Sequence, residues 1–285
     1  MKICATIPEA RAACRAARAC RERLGLVPTM GALHQGHLSL VRAAKAQCDA
    51  VAASIFVNPT QFGPTEDLAK YPRQFDRDCS LLEKEGVDIL FAPTVEEMYP
   101  DSNSKVPLTW VVVEGLSEKL DGRSRPIHFR GVTTIVSKLL HIIGPAAAFF
   151  GEKDAAQLAV VRRMVRDMNF PVEIVACPIV REPDGLALSS RNAYLNREER
   201  TRALVLHRSL QKTRQQFQAG ERLAANLISA AKEIIASEPQ VRLDYLEIVD
   251  PDTLDPVERI SQKTLVAVAA YVGSTRLIDN VVLDT

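Results

Sequence analysis

Leu24-Gly25-Leu26-Val27-Pro28-Thr29-Met30-Gly31-Ala32-Leu33-His34-Gln35-Gly36-His37 is the stretch that sets the fold of this chain. The apolar run at 24–27 reads as a buried strand, a glycine-containing turn follows, and a helical pattern starts at Leu38. Backbone N–H groups at the mouth of such a helix, at the positive end of its dipole, favour phosphate. His34 and His37 are three apart and share a face once the helix has begun. Imidazole N–H groups there donate to phosphate oxygens as negative charge builds up. Gly36 lets a ligand approach the backbone closely. Taken alone, H-x-G-H also fits a helix start with incidental polar residues. A zinc site needs further ligands, and no H-E-x-x-H or cysteine cluster supplies them.

Outward from this stretch, strand and helix signals alternate. Lys2 to Ile7 alternates like a strand, and Pro8-Glu9 looks like a helix start. The Arg- and Ala-rich segment 1–23 resembles a transit peptide only in composition, and it reads as the first strand and helix of the fold. Strands are expected at 51–57, 87–91, 108–113, 146–150 and 172–177, and helices at 74–86, 131–143 and 154–168. This order predicts an α/β fold with a mostly parallel sheet covered by helices on both faces. Ligands in such sheets bind beyond the carboxyl ends of strands. The loops after Val27, Val57 and Phe150 all hold that kind of position.

The pattern changes after about residue 183, where Pro183-Asp184-Gly185 signals a turn. Helices at 197–217 and 221–236 and strands at 241–249, 265–271 and 276–282 suggest a smaller α+β domain. The expected domains are therefore 1–183 and 184–285. The chain has 285 residues, 47% hydrophobic and 25% charged, with a formal net charge of +1. That profile is a globular protein with no global field to attract nucleic acid or a membrane, and no apolar run is long enough to span a bilayer. The six cysteines form no C-x-x-C pair. They read as unpaired thiols of a reducing, cytoplasmic compartment.

Three further blocks carry chemistry. In Phe56-Val57-Asn58-Pro59-Thr60-Gln61-Phe62-Gly63, the amides of Asn58 and Gln61 both donate and accept, which suits a hydroxylated organic acid. An ordinary Asn-Pro turn is the plainer reading. In Gly151-Glu152-Lys153-Asp154-Ala155-Ala156-Gln157, Lys153 is a mobile charge where anions gather, Asp154 opens a helix, and Gln157 lies one turn on. A capped helix with a surface lysine is the alternative. In Leu186-Ala187-Leu188-Ser189-Ser190-Arg191-Asn192, two hydroxyls beside an arginine can hold phosphate oxygens. Arg123, Arg125, His128 and Arg130 form a basic cluster, either an anion contact or a solvated loop. Glu66, Asp67, Asp76 and Asp78 read as a solvated face and helix caps, the first two also as candidate magnesium ligands.

Pro28-Thr29-Met30-Gly31-Ala32-Leu33-His34-x-Gly36-His37, Phe56-Val57-Asn58-Pro59-x-Gln61-Phe62, Gly151-Glu152-Lys153-Asp154-x-x-Gln157 and Leu188-Ser189-Ser190-Arg191-Asn192, in this order, resemble the pantoate–β-alanine ligases. Arg125-Pro126-x-His128-Phe129-x-Gly131-Val132 adds to the likeness. The resemblance implies a Rossmann-like nucleotidyltransferase domain with a smaller C-terminal lid domain. The implied enzyme is an ATP-dependent, AMP-forming ligase that makes pantothenate from pantoate and β-alanine through a pantoyl-adenylate. It further implies magnesium with ATP, a homodimer and a place on the route to coenzyme A.

Carried over by position, Met30, Gly31, Ala32, Leu33, His34, Gln35, Gly36 and His37 would line the ATP site, with His37 as proton donor. Gly151, Glu152, Lys153, Asp154, Val180, Leu188, Ser189, Ser190 and Arg191 would complete it. Gln61 and Gln157 would hold pantoate, Gln61 would also lie near β-alanine, and Asn58 would shape that loop. His34, His37, Lys153, Ser190 and Arg191 would surround the reacting phosphate, and the metal ligands stay unassigned. Thr60 and Leu188 stand where methionine is common in the family, and Ala155-Ala156 where bulkier or polar residues are. Two competing readings are a nucleotidylyltransferase acting on a phosphorylated acceptor and a non-catalytic nucleotide-binding module.

Overall fold

A computed structural model describes residues 1–20, 23–64, 66–100 and 107–284. In chain order the first elements are β1 (Lys2–Cys4), α1 (Ile7–Cys20), β2 (Leu24–Thr29), α2 (Gln35–Gln47), β3 (Ala50–Ile55), α3 (Phe75–Lys84), β4 (Ile89–Phe91), α4 (Val95–Met98), α5 (Asp121–Ser124) and α6 (His128–Ile143). They continue with β5 (Ala147–Gly151), α7 (Ala155–Asp167), β6 (Glu173–Cys177), α8 (Arg197–Arg202), α9 (Leu204–Gln218), α10 (Ala224–Ala236), β7 (Val241–Val249), β8 (Thr264–Val272) and β9 (Thr275–Leu283). Two compact units result. One takes Met1–Ser117, Arg125–Glu152 and Val160–Pro178, and the other Glu118–Ser124, Lys153–Ala159 and Ile179–Thr285.

The first unit holds a six-stranded sheet in the order β1-β4-β3-β2-β5-β6, with every pairing parallel. β3 is buried along nearly its whole length, as expected of a strand covered on both faces. Val27, Leu40, Val41, Leu82, Leu90 and Phe149 belong to one of the cores beside it. β2 is the central strand where the order reverses, and crevices for ligands form at such switch points. It pairs with β3 from Leu24 to Thr29 but with β5 only at Gly25 and Leu26. Pro28 therefore lies beyond the β5 ladder, where its missing N–H costs no bond on that side.

Several boundaries differ from expectation for local reasons. α2 begins at Gln35 rather than Leu38, because its polar first turn is set by capping and not by apolar periodicity. The expected strand at 108–113 does not form. Its backbone bonds instead to helix side chains: the Val111 N–H donates to Thr134 Oγ1 at 3.0 Å, and the Val111 carbonyl accepts from Thr133 Oγ1 at 2.6 Å. The helix expected at 197–217 is divided at Ala203, where the ladder shortens to a bond from the Leu206 N–H to the Ala203 carbonyl.

The second unit is built on the antiparallel sheet β7-β8-β9. Leu206 and Leu210 of α9 and Leu227 of α10 share a core with Ile248, Val268 and Leu277 of that sheet. Arg276 of β9 pairs with Asp121 at 2.6 Å and with Asp244 at 2.7 Å. The Asp121 pair and a bond from the Ser124 hydroxyl to Asp244 at 2.8 Å tie the segment Glu118–Ser124 into this unit. All six cysteines are free thiols.

Candidate active site

The turn between β2 and α2 is held by side chains from its own unit. Ala32 has the left-handed φ of 51°, an uncommon conformation for a residue with a Cβ. Asp78, from α3, holds it there: Oδ2 accepts the Ala32 N–H at 2.8 Å and Oδ1 the Leu33 N–H at 2.9 Å. Asp78 is 1% exposed. It is therefore a buried clamp and not part of a solvated face. Glu66 also departs from that reading, because it forms an ion pair with Arg125 at 2.5 Å. Asp76, in the first turn of α3, is exposed as expected.

His34 and His37 form a reciprocal cap at the start of α2. His34 Nδ1 accepts the Gly36 N–H at 3.1 Å, and His37 Nδ1 accepts the His34 N–H at 3.3 Å. The same exchange is usually made by Ser or Thr with Glu or Gln. The ring centroids lie 4.1 Å apart. An Nδ1 that accepts carries no proton, so the neutral ring bears its hydrogen on Nε2. Both rings are half-buried.

This arrangement corrects one expectation. The N–H groups of Ala32 and Leu33 go to Asp78, those of His34 and Gly36 to the two imidazoles, and that of Gly31 to Thr29 Oγ1 at 3.1 Å. Those backbone donors are already engaged, and each imidazole carries its hydrogen on Nε2. Leu33 itself is a core residue, 1% exposed.

Asn58 and Gln61 follow β3. Asn58 caps a short 3-10 turn at Pro59–Gln61, and its Nδ2 donates to Gln61 Oε1 at 3.0 Å. Gln61 Nε2 in turn faces Met30 Sδ at 3.2 Å. The loop lies against α6 at Gly131, where a Cβ would come within 2.4 Å of the Thr60 carbonyl oxygen. Only glycine permits that approach. His128 Nδ1 contacts the Gln61 carbonyl at 3.0 Å, and Arg125 reaches the same oxygen at 3.4 Å.

The basic cluster around Pro126 is thus partnered internally. Arg125 holds Glu66, Arg123 pairs with Glu247, and Arg130 stacks on Trp110 at 4.4 Å. Burial raises the Glu66 carboxyl, but the Arg125 hydrogen bond and charge outweigh it and hold it below the usual glutamate value.

The chain leaves the first unit between Glu152 and Lys153, just beyond β5. In the second unit, the Lys153 carbonyl accepts from Asn280 Nδ2 at 2.9 Å, and Lys153 Nζ lies 3.6 Å from Asp154. Gln157 follows in the first turn of α7, half-buried. Val180 and Leu188 face each other, with the Leu188 N–H donating to the Val180 carbonyl at 3.0 Å. The turn between them is closed by Gly185 at φ 99°. Arg181 anchors this turn, bonding Asp279 at 2.7 and 2.8 Å and the Gly185 carbonyl at 2.9 Å. Ser189 caps the 3-10 turn Ser190–Tyr194 by accepting the Arg191 N–H at 3.2 Å.

One unit thus gathers residues 30–37, Asn58, Gln61, Gly151 and Glu152. The other gathers Lys153, Asp154, Gln157, Val180 and residues 188–191. The structural roles of Asp78, Gly131, Tyr99, Asp279 and Asn280 are not visible in the sequence. Each acts on a partner far away in the chain, where no local pattern marks it. Among the described residues no three His, Cys, Asp or Glu side chains are placed to hold a metal ion, and no helix is long and apolar enough to cross a membrane.

Comparison with known proteins agrees with the motif order. Residues 2–282 match the family model described as pantoate-beta-alanine ligase. A pantothenate synthetase of Koribacter versatilis is 59% identical over 284 residues, covering 100% of this chain and 96% of that protein. The crystal structure of pantothenate synthetase from Thermus thermophilus superimposes with a TM-score of 0.92 at 48% identity, covering 99% of each chain. A pantoate-beta-alanine ligase from Francisella tularensis, solved in complex with beta-gamma ATP and beta-alanine, gives a TM-score of 0.80 at 33% identity, covering 99% of this chain and 97% of that one. With a matching family model over nearly its whole length, the chain belongs to the pantoate–β-alanine ligase family, the enzymes that form pantothenate from pantoate and β-alanine.

Proposed function

We propose that this ligase works in two steps, with ATP as co-substrate. A carboxylate is a poor acyl donor because its oxygen is a poor leaving group. The pantoate carboxylate attacks the α-phosphorus of ATP and expels pyrophosphate, leaving a pantoyl-adenylate. The β-alanine amine then attacks the adenylate carbonyl, AMP leaves with the C–O bonding pair, and the amine loses its proton. The complex of the Francisella tularensis relative with beta-gamma ATP and beta-alanine supports this choice of substrates.

The observation that carries the reading is the reciprocal histidine cap, which leaves Nε2–H as the donor on both His34 and His37. Neutral donors fixed before the reaction stabilise charge developing on phosphoryl oxygens without reorganising. His37 donates to the reacting phosphate, and His34, Lys153, Ser190 and Arg191 bear on the same charge. Met30, Gly31, Ala32, Leu33, Gln35, Gly36, Gly151, Glu152, Asp154, Val180, Leu188 and Ser189 complete the ATP site. Gln61 and Gln157 hold pantoate, with Asn58 supporting the loop.

Magnesium bound with the nucleotide would supply charge neutralisation on its phosphates. The donor set fits an ion carried on phosphate oxygens better than a protein cage. Both oxygens of Asp78 hold backbone N–H groups, and Glu66 is paired with Arg125. In this reading residues 1–183 bind ATP and pantoate, and residues 184–285 act as a lid that keeps water from the adenylate. The enzyme acts as a cytoplasmic homodimer.

The test measures pyrophosphate and AMP release with ATP, magnesium and pantoate, with and without β-alanine. Wild type should release pyrophosphate with pantoate alone and AMP only when β-alanine is added. His37→Ala should slow the first step by about 10²–10³. A His37→Ala enzyme with wild-type pyrophosphate release sinks the role given to His37.

A further inference from the structure

Asn58 is 1% exposed, so both ends of its amide require partners inside the protein. Its Oδ1 accepts from the Tyr99 hydroxyl at 2.7 Å, the Thr60 hydroxyl at 2.9 Å and the Thr60 N–H at 3.3 Å. Its Nδ2 donates to the Gly131 carbonyl at 3.1 Å and to Gln61 Oε1 at 3.0 Å. The Gly131 carbonyl only accepts and the Thr60 N–H only donates, which sets the direction of the Asn58 amide. The two hydroxyls add their donors on the oxygen side. Burial pushes the Tyr99 phenol up to about 12, against a hydrogen bond from Thr60 that pulls the other way, so at neutral pH it carries its proton. Lys138 Nζ lies over the Tyr99 ring, 5.4 Å from its centre.

The direction passes on to Gln61. With Oε1 occupied by Asn58, the other half of that amide is Nε2, which lies 3.2 Å from Met30 Sδ. A thioether is a weak acceptor, readily replaced by a substrate oxygen. The Thr60 and Tyr99 hydroxyls together lock the oxygen of Asn58.

We infer that Tyr99 and Thr60 are positioning residues for the acid substrate: through Asn58 they hold Gln61 so that its amide N–H groups, not its oxygen, meet an accepting oxygen of pantoate. The inference rests on the proposed contact between Gln61 and pantoate.

Steady-state kinetics on the full-length enzyme separate the two ideas. Gln61→Ala should raise the pantoate KM; if it does not, the assignment of Gln61 to pantoate fails, and the inference with it. Tyr99→Phe and Thr60→Val should each raise the pantoate KM about threefold to tenfold and leave the ATP KM within about twofold, the size expected for one hydrogen bond. The double variant should exceed either single one. Thr60→Ser, which restores the hydroxyl, should return the pantoate KM to wild type. A general loss of structure would instead lower kcat and raise both KM values alike, with no rescue by serine, and that result overturns the inference. So does a double variant with wild-type pantoate KM when Gln61→Ala is impaired. Gln61→Glu tests the polarity, because it offers only acceptors. It should be about tenfold worse for pantoate than Gln61→Ala, since a carboxylate oxygen would face the substrate oxygen. A Gln61→Glu enzyme equal to or better than Gln61→Ala overturns it.

Discussion

Asn280, on β9, donates from Nδ2 to the carbonyl oxygen of Lys153 at 2.9 Å, across 127 residues of sequence. The next residue back, Asp279, holds Arg181 and with it the turn between Val180 and Leu188. Two adjacent residues of one strand therefore fix both the lysine and the turn of the proposed ATP site in this unit. Asn280→Ala should release the Lys153 backbone. The expected result is a fall in the rate of pyrophosphate formation of about fivefold to tenfold, the equivalent of one hydrogen bond. Pantoate KM should change less than this, because Asn58 and Gln61 belong to the other unit and only Gln157 shares the unit of Lys153. Single-turnover pyrophosphate release reads the first effect, and pantoate saturation the second.

The Asp78 clamp predicts a stability effect. Its carboxylate accepts two buried N–H groups, one of them on a residue with positive φ. Asp78→Ala leaves both donors unpaired and should cost about 3 kcal/mol. Asp78→Asn should be no milder. An amide has one accepting oxygen, and its NH2 would meet the second backbone N–H donor to donor. Urea midpoints of the two variants check this. An Asn variant close to wild type would show that one acceptor is enough to hold the turn.

The parts legible from sequence were those in which an element and its signal share a short window. The run from Leu24 to His37, the loop at Asn58, the loop at Lys153 and the turn at Gly185 all declared themselves by a strand ending in glycine, proline or polar residues. Asp78 could not, since its partner Ala32 is 46 residues away and its chain neighbours Asp76 and Arg77 are exposed. Tyr99 is 41 residues from Asn58, and Gly131 is marked only by the loop that packs on it. The segment around Val111 misled because its β-branched run looks like a strand, while its hydrogen bonds go to Thr133 and Thr134. The availability of backbone N–H groups at the H-x-G-H turn was also beyond the sequence. Which donors stay open depends on a distant carboxylate and on how two rings rotate.

The Glu66–Arg125 pair predicts a dependence on acid. The carboxyl of Glu66 is held below its ordinary value of 4.5, so the folded state favours the charged form more than the unfolded state does. A carboxyl with a depressed folded value contributes its full stabilisation above the unfolded value and loses it as pH falls through the folded one. Wild type should therefore exceed Glu66→Gln in urea midpoint by a constant margin above about pH 5.5. That margin should shrink as the pH is lowered below 4.5. A margin that is flat to the lowest folded pH would mean that the pair does not depend on ionised Glu66. Pantoate KM should follow the same trend, since Arg125 also reaches the Gln61 carbonyl at 3.4 Å.

His34 has two functions that a single substitution can separate. Its Nδ1 caps α2, and its Nε2–H is the proposed phosphate donor. Asparagine is among the best N-cap residues and keeps an acceptor near the position of Nδ1, but it has no group where Nε2 would be. His34→Asn should therefore fold with near wild-type stability, while His34→Ala should lose about 1 kcal/mol. Both variants should slow adenylation by about 10²-fold if the ring donor stabilises the phosphoryl charge. Thermal midpoints measured beside pyrophosphate release give the two readouts independently. Should His34→Asn keep both its stability and its rate, the histidine at this position would be a cap and nothing more, and the proposed donor role would fall to His37 alone of the pair.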